Sequence, residues 1–385
     1  MEYKLEDLFD LQMGKTPARN NPEYWNSEDY KWISIGDLSR SGKYIQDTKE
    51  YLSKKAVDES GITIIPAGTV VMSFKLSIGK TAIVSEPMFS NEAIMSFRDK
   101  RVVDLLPDYI YYMFLGRDWD VGTNKAVMGK TLNKATLSKI KVRVHNITEQ
   151  KEIVQILDKV NAVIEARQLE LEKLDTLIKA RFVEMFGDPV KHLDEGNTVP
   201  LATIADRITV GFVGEASSDY TDEGVPYLRT QNVRVNHIDL TGLIYVNEAF
   251  HQKNQKSIIH PGDVVISRVG VNRGMAAVIP DSLSEANIAN CLIVGGLERI
   301  EPYYLAFYMN MSYGKRPQFG ASVGSAQGVV NTAILKKWEV YLPDRELQNE
   351  FCMFAQQVDK SKAVIQKSLD ETQLLFDSLM QKYFG

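Results

Sequence analysis

Four short polar stretches hold the side chains best suited to chemistry on an acceptor-rich surface. Lys15 to Asn21 contains Arg19 and Asn20, and Ser73 to Lys80 contains Lys75 and Lys80. Arg229 to Arg234 contains Arg229 and Gln231, and Ser267 to Arg273 contains Arg268 and Arg273. Guanidinium and carboxamide groups make bidentate hydrogen bonds to base edges, and ammonium groups neutralise phosphate, so these residue types fit nucleic-acid contact. Each stretch alone also reads as an ordinary exposed turn. Their recurrence at corresponding places in the chain favours contact for the set.

Covalent and metal chemistry find no comparable constellation. Ile78-Gly79-Lys80-Thr81 ends like a phosphate-binding loop, but that pattern requires glycine where the chain has Phe74. Asn21-Pro22-Glu23-Tyr24 has the outline of the Asn-Pro-Pro-Tyr motif of DNA adenine methyltransferases, with an acid in third place and no glycine-rich strand-turn beside it; it reads as a turn. His145, His192, His237, His251 and His260 lack metal-ligand spacing. Cys291 and Cys352 lie far apart and supply neither a disulfide framework nor a cysteine-rich zinc site. The expectation is therefore no catalytic, cofactor-binding or metal-binding residue. Trp25, Tyr30, Trp32, Tyr109, Tyr111 and Tyr112 are expected in cores rather than on a base-contacting surface.

The elements that must position the polar stretches emerge from self-similarity. Thr148 to Phe186 runs without Pro or Gly and predicts one long helix. Its apolar residues Ile153, Leu157, Val160, Ile164, Leu171, Leu174 and Ile178 recur at helical spacing, interrupted only at Arg167, which makes a seam that needs a partner helix. Glu346 to Phe384 supplies it, with Phe351, Ala355, Val358, Ile365, Leu369, Phe376 and Leu379. The two segments are offset by 198 positions: Gln150 matches Gln348, and Phe186-Gly187 matches Phe384-Gly385. Leu132-Asn133 matches Val330-Asn331 at the same offset. Pro66-Ala67-Gly68-Thr69-Val70-Val71 parallels Pro261-Gly262-Asp263-Val264-Val265, and Ser77–Val84 parallels Val271–Val278 around a glycine. The segment with Trp32 and Ile33, leading into a polar turn, parallels the one with Tyr227 and Leu228.

The plan is mixed α/β, or α+β: a β-rich domain at 1–145, a helix at 146–187, a second β-rich domain at 188–344 and a helix at 345–385. The repeat implies pseudo-two-fold symmetry, with the helices paired as an antiparallel coiled coil. Such a pair acts as a ruler, because each inserted residue would add about 1.5 Å and about 100°.

The 385 residues carry 45 Lys+Arg against 50 Asp+Glu, a net charge of −5. That balance disfavours simple coating of nucleic acid and leaves a local basic groove open. No apolar run approaches the roughly 20 residues needed to cross a bilayer, and the beginning of the chain lacks the order of a secretory signal, so no membrane association and a cytoplasmic location are expected.

Taken in order, the paired domains, the Pro-Gly-Val-Val blocks, the Asn133/Gln150 and Asn331/Gln348 pairs and the helices ending Phe186-Gly187-Asp188-Pro189 and Phe384-Gly385 resemble the DNA specificity subunits of type I restriction-modification systems. The resemblance covers essentially the whole chain. It implies two target recognition domains, each reading half of an interrupted, asymmetric sequence in double-stranded DNA, with spacer helices between them. It also implies a non-catalytic scaffold for two adenine-N6 methyltransferase (modification) subunits and, where present, two restriction subunits. S-adenosylmethionine would then belong to the modification subunits, and ATP and Mg2+ to the restriction subunits. Two other readings compete: a self-contained methyltransferase or restriction polypeptide, and a coiled-coil adaptor that does not bind DNA.

Overall fold

The computed structural model describes residues 1–75, 77–119, 124–126, 129–312 and 331–385; side chains at 124–126, 129–131, 190, 193 and 312 are not described. Leu76 and Val330 of the sequence patterns lie outside the described residues. The chain divides into two compact units: unit 1 comprises Met1–Leu169 with Gln366–Gly385, and unit 2 comprises Glu170–Ile365.

In unit 1 the main sheet is built from β2 (Phe9–Met13), β4 (Tyr44–Ile45), β6 (Val70–Ser73), β7 (Thr81–Val84) and β9 (Ile94–Asp99), in the order β2-β9-β6-β7-β4, with β1 (Glu2–Lys4) lying outside it. A smaller sheet is formed by β3 (Tyr30–Ile33), β5 (Glu50–Leu52) and β8 (Phe89–Ser90), where β3 runs parallel to β8. β10 (Lys141–Arg143) closes back on β1. Every residue of β6 and β7 is buried, as expected for apolar strands covered on both faces.

Unit 2 repeats the plan. β11 (Val199–Pro200) pairs with the last strand, while β12 (Arg207–Val210), β17 (Val264–Ser267), β18 (Ala276–Val278) and β20 (Cys291–Gly295) form a sheet in the order β12-β20-β17-β18. β13 (Tyr220–Thr221), β14 (Val225–Leu228), β15 (Ile244–Val246), β16 (Ile258–Ile259) and β19 (Ala286–Ile288) form the other, with β14 parallel to β19. β21 (Glu339–Val340) closes on β11.

The two long helices are Ile147–Phe186 and Arg345–Phe384, 40 residues each, and each contributes to both units. In unit 1, Ile153, Leu157 and Ile164 join Phe376 and the unpredicted Met380 in the buried core, with Val160, Leu369 and Leu379 packed half-buried against it. In unit 2, Ile178 lies in a core with Phe351, Ala355 and Val358, to which Phe182 and Phe186 add two rings that the seam pattern did not include; Leu174 packs against it. Ile365 is buried and Leu171 half-buried. The ion pairs Arg181–Glu350 and Asp175–Lys362 step in opposite directions along the two segments, so the helices of unit 2 are antiparallel.

A glutamine anchors the start of each long helix. Gln150, fully buried, accepts the Leu106 N–H at 3.0 Å and donates to the carbonyls of Asp104 and His145, each at 2.9 Å. Gln348 accepts the Glu301 N–H at 2.7 Å and donates to Pro343 O at 2.8 Å. The glutamines tie each long helix to the start of the helices Pro107–Leu115 and Pro302–Ser312. Within these, Tyr109 and Tyr304 are buried and donate to the carbonyls of Arg143 and Tyr341. Trp32 and Tyr112 are likewise buried, whereas Trp25, Tyr30 and Tyr111 pack half-buried against the cores.

Candidate nucleic-acid interface

The polar stretches sit where the strands end. In unit 1, Ser73 closes β6 and is fully buried; its N–H donates to Lys80 O at 2.9 Å, its carbonyl accepts from Gly79 at 2.9 Å and its hydroxyl accepts from Lys80 N–H at 3.1 Å. This knot shapes the 74–80 turn, and Gly79 takes a φ of 89° that only glycine adopts without strain. Because β7 rather than a helix follows, the Gly79-Lys80-Thr81 segment lacks the helix N-terminus that a phosphate loop needs. Half-buried Lys80 bonds Ser39, and half-buried Lys75 lies over the Phe74 ring at 5.3 Å.

Arg19 is held at the surface by neighbours in its own unit. Its guanidinium forks onto Glu50 and lies over Trp25 at 3.9 Å and Trp32 at 4.7 Å. Arg19 also fastens the loop, and both it and neighbouring Asn20 are exposed. Glu92 gathers this end of the unit. Burial opposes its charge, but the Thr16 hydroxyl, its own N–H and the nearby Lys75 and Arg19 charges together hold its carboxyl below the ordinary range. Asn21 is an N-cap, accepting from Glu23 N–H at 3.1 Å at the head of the short helix Pro22–Trp25, and Tyr24 donates to Glu59. The Asn-Pro-Glu-Tyr run is therefore local structure.

The predicted polar turn after β3 is a capped helix, Ile35–Arg40: Ser34 accepts from Asp37 N–H, and Asp37 accepts from Ser34 N–H at 2.8 Å. In unit 2 the corresponding Thr230–Asn232 segment is a 3-10 turn in which Asn232 accepts from Arg229 N–H at 2.9 Å. Buried Asn272 donates to the carbonyls of Thr230 and Val233, each at 3.2 Å, and so binds the Arg268–Arg273 turn to the Arg229–Arg234 turn. Ser267 repeats Ser73: its N–H donates to Met275 O at 3.0 Å and its carbonyl accepts from Gly274 at 2.7 Å, with Gly274 at φ 84°. Gln231 is exposed, and Arg229, Arg268 and Arg273 are half-buried. The structure thus brings Arg229, Gln231, Arg268 and Arg273 together in unit 2, and Lys75 and Arg19 around Glu92 in unit 1.

Residues 1–174 match the family model described as the type I restriction modification DNA specificity domain. The MjaIX specificity subunit of Methanocaldococcus jannaschii is 27% identical over 189 residues, 48% of this chain and 43% of that relative. The EcoR124I/EcoR124II specificity subunit of Escherichia coli is 28% identical over 169 residues, 41% of each chain. Over residues 1–174 the chain is thus similar to the DNA specificity domain of type I restriction-modification systems. The matched stretches span less than half the length of these two relatives. The fold extends the likeness over the whole chain: the S subunit from M. genitalium has a TM-score of 0.57 at 14% identity, covering 100% of this chain and 96% of that one. A structure from work on assembly and conformational transition of the type I system has a TM-score of 0.59 at 17% identity, with coverage of 100% and 97%.

Two glycines escaped the sequence reading. A Cβ on Gly14 would stand 2.2 Å from Ser90 O, and one on Gly211 would stand 2.3 Å from Ile288 O. Each glycine ends the first strand of its main sheet and lets the chain cross β8 or β19, where Lys15 N–H and Phe212 N–H donate to those same carbonyls at 2.8 Å. The only available signal was their shared position after an apolar strand. Gly320-Ala321-Ser322-Val323-Gly324, which has the spacing of a nucleophile elbow, also escaped that reading and lies outside the described residues. Among the described residues no group of three His, Cys, Asp or Glu side chains could hold a metal ion, and no helix is long and apolar enough to cross a membrane.

Proposed function

We propose that this chain selects a two-part asymmetric DNA sequence for adenine-N6 methylation, each unit reading one half and the two long helices setting the gap between halves. The observation that carries this reading is the repetition of one turn architecture, with Ser73 and Ser267, Gly79 and Gly274, and Gln150 and Gln348 in matching roles, around unlike side chains. Equal scaffolds with different readers suit two different half-sites. Binding both halves raises the effective concentration of the second unit only when the gap fits. The domains at 1–145 and 188–344 are the readers, and the helices at 146–187 and 345–385 are the spacers.

In this proposal the chain is a non-catalytic scaffold in the cytoplasm for two modification subunits and, where present, restriction subunits. The modification subunits supply S-adenosylmethionine chemistry and much of the phosphate contact that a chain of net charge −5 does not provide; ATP and Mg2+ belong to the restriction subunits. Reconstitution with the neighbouring modification subunit, followed by mapping of methylated adenines, tests the proposal. A two-part motif of constant gap, and no methylation or S-adenosylmethionine binding by the chain alone, is the expected result. Methylation by the purified chain would favour a self-contained enzyme, and partner binding without sequence selectivity would favour an adaptor.

A further inference from the structure

The two units put different chemistry on the same two backbone positions. Phe74 follows buried Ser73 and donates its N–H to Ala93 O at 3.0 Å; Arg268 follows buried Ser267 and donates its N–H to Asn290 O at 3.3 Å. Ser34 and Arg229 each open a helical turn, and the side chain three residues on accepts from their N–H. Unit 1 therefore fills the first position with a ring sealed in its core, 1% exposed, and the second with a small capping hydroxyl. Unit 2 fills both with arginine.

These arginines are neighbours. Leu228, just before Arg229, accepts from Ala289 N–H at 2.8 Å, and the next residue, Asn290, accepts from Arg268 N–H. Asn272 also ties the Arg268 turn to Thr230, beside Arg229. In each guanidinium the Nε is buried without a hydrogen-bond acceptor, and no carboxylate among the described residues pairs with either. Other arginines of the unit are answered: Arg207 by Asp263, Arg234 by Asp239 and Arg345 by Glu301. Those Nε atoms face the interior; the terminal nitrogens of both guanidiniums are not among the buried atoms and have no hydrogen-bond or carboxylate partner among the described residues, so they are the donors open to an acceptor from outside the chain.

Resting on the DNA-reading function proposed above, we infer that Arg229 and Arg268 form a guanine-reading pair in unit 2 that unit 1 lacks. Guanine offers O6 and N7 side by side on its major-groove edge, and the rigid guanidinium fork matches that planar pair. A phosphate also accepts the fork, but a phosphate contact carries no base preference, so the two are told apart by whether a substitution changes one base position or weakens all sites alike. The half-site of unit 2 is therefore expected to contain guanine at positions set by Arg229 and Arg268.

The test is mapping of methylated adenines by the complex reconstituted with its modification subunit, using Arg229→Lys, Arg268→Lys and Arg229→Ser, the last placing the unit 1 residue at its matching position. The lysine variants keep the charge and a similar length, so the general electrostatic attraction to phosphate is retained while the planar fork is lost. Each should lose about tenfold to a hundredfold of its preference for guanine at one position of one half-site, leaving the other half and the gap unchanged. An unchanged motif in all three variants would overturn the inference, as would a motif without guanine in either half. Lysine variants that leave the motif intact, with Arg229→Ser weakening all sites uniformly, would assign the contact to phosphate and overturn it too. Loss of any two-part motif in the unsubstituted complex would instead overturn the proposed function.

Discussion

Replacing Gln150 with leucine removes a fully buried amide while keeping its approximate volume, and it orphans three backbone groups: the Leu106 N–H and the carbonyls of Asp104 and His145. A buried group left without its partner costs about 1–3 kcal/mol, and a carbonyl tolerates the loss better than an N–H. The sum is about 3–5 kcal/mol, a large fraction of the roughly 5–15 kcal/mol that holds an ordinary domain together. Gln348→Leu orphans only the Glu301 N–H and the Pro343 carbonyl, so its cost is smaller, about 2–4 kcal/mol. The two glutamines share no partner, and the double variant should equal the sum within about 0.5 kcal/mol. Urea unfolding followed by tryptophan fluorescence measures all three variants. A Gln150→Leu cost below about 1 kcal/mol, or a larger cost for Gln348→Leu, would refute the anchoring role argued from these hydrogen bonds.

Other outcomes follow from the same geometry. Gly14→Ala and Gly211→Ala drive a methyl into backbone carbonyls that cannot swing away, and each should destabilise the chain by about 2–4 kcal/mol in the same unfolding assay. Asn272→Leu removes both bonds between the Arg268–Arg273 and Arg229–Arg234 turns; a loss of about 1–3 kcal/mol, with faster amide exchange at Thr230–Val233, is expected. His251 is buried, which disfavours its charge, but its two ring nitrogens face Asn287 Oδ1 and Glu285 Oε1, each at 2.7 Å, and these partners raise its pKa above 6.5. Asn287 is held in that orientation because its amide nitrogen donates to Ser257. Its contribution to stability is therefore full below pH 6.5 and fades as pH rises through the raised folded value. Unfolding measured between pH 6 and 9 should show that decline in the native chain, and His251→Leu should abolish it.

The repeat was legible because three kinds of residue had no freedom to vary in type. Gly79 and Gly274 need positive φ, Gln150 and Gln348 must satisfy buried backbone groups, and Asn133 and Asn331 cap helices by accepting from Thr136 and Ile334 N–H. The long helices were legible from unbroken helix formers and the spacing of the seam. The Ile35–Arg40 helix was obscured by Ile35 and Gly36, which weaken helix propensity, although the Ser34–Asp37 capping pair was present in the sequence. The contacts of Arg19 with Glu50, Trp25 and Trp32 could not be read locally, since these partners reach it only through the fold. The same holds for Arg268, whose match to Phe74 is defined by a hydrogen bond to the next strand rather than by side-chain type.

In the function proposed above, each unit reads its own half of the target. The direct measurement is a comparison of methylated-adenine maps for the complex carrying this chain and for one in which only the unit 2 turns at 229–234 and 268–273 are exchanged for those of a type I specificity subunit of different target. The second half of the motif should change, with the first half and the gap retained. Maps in which both halves change together, or in which neither does, would contradict it.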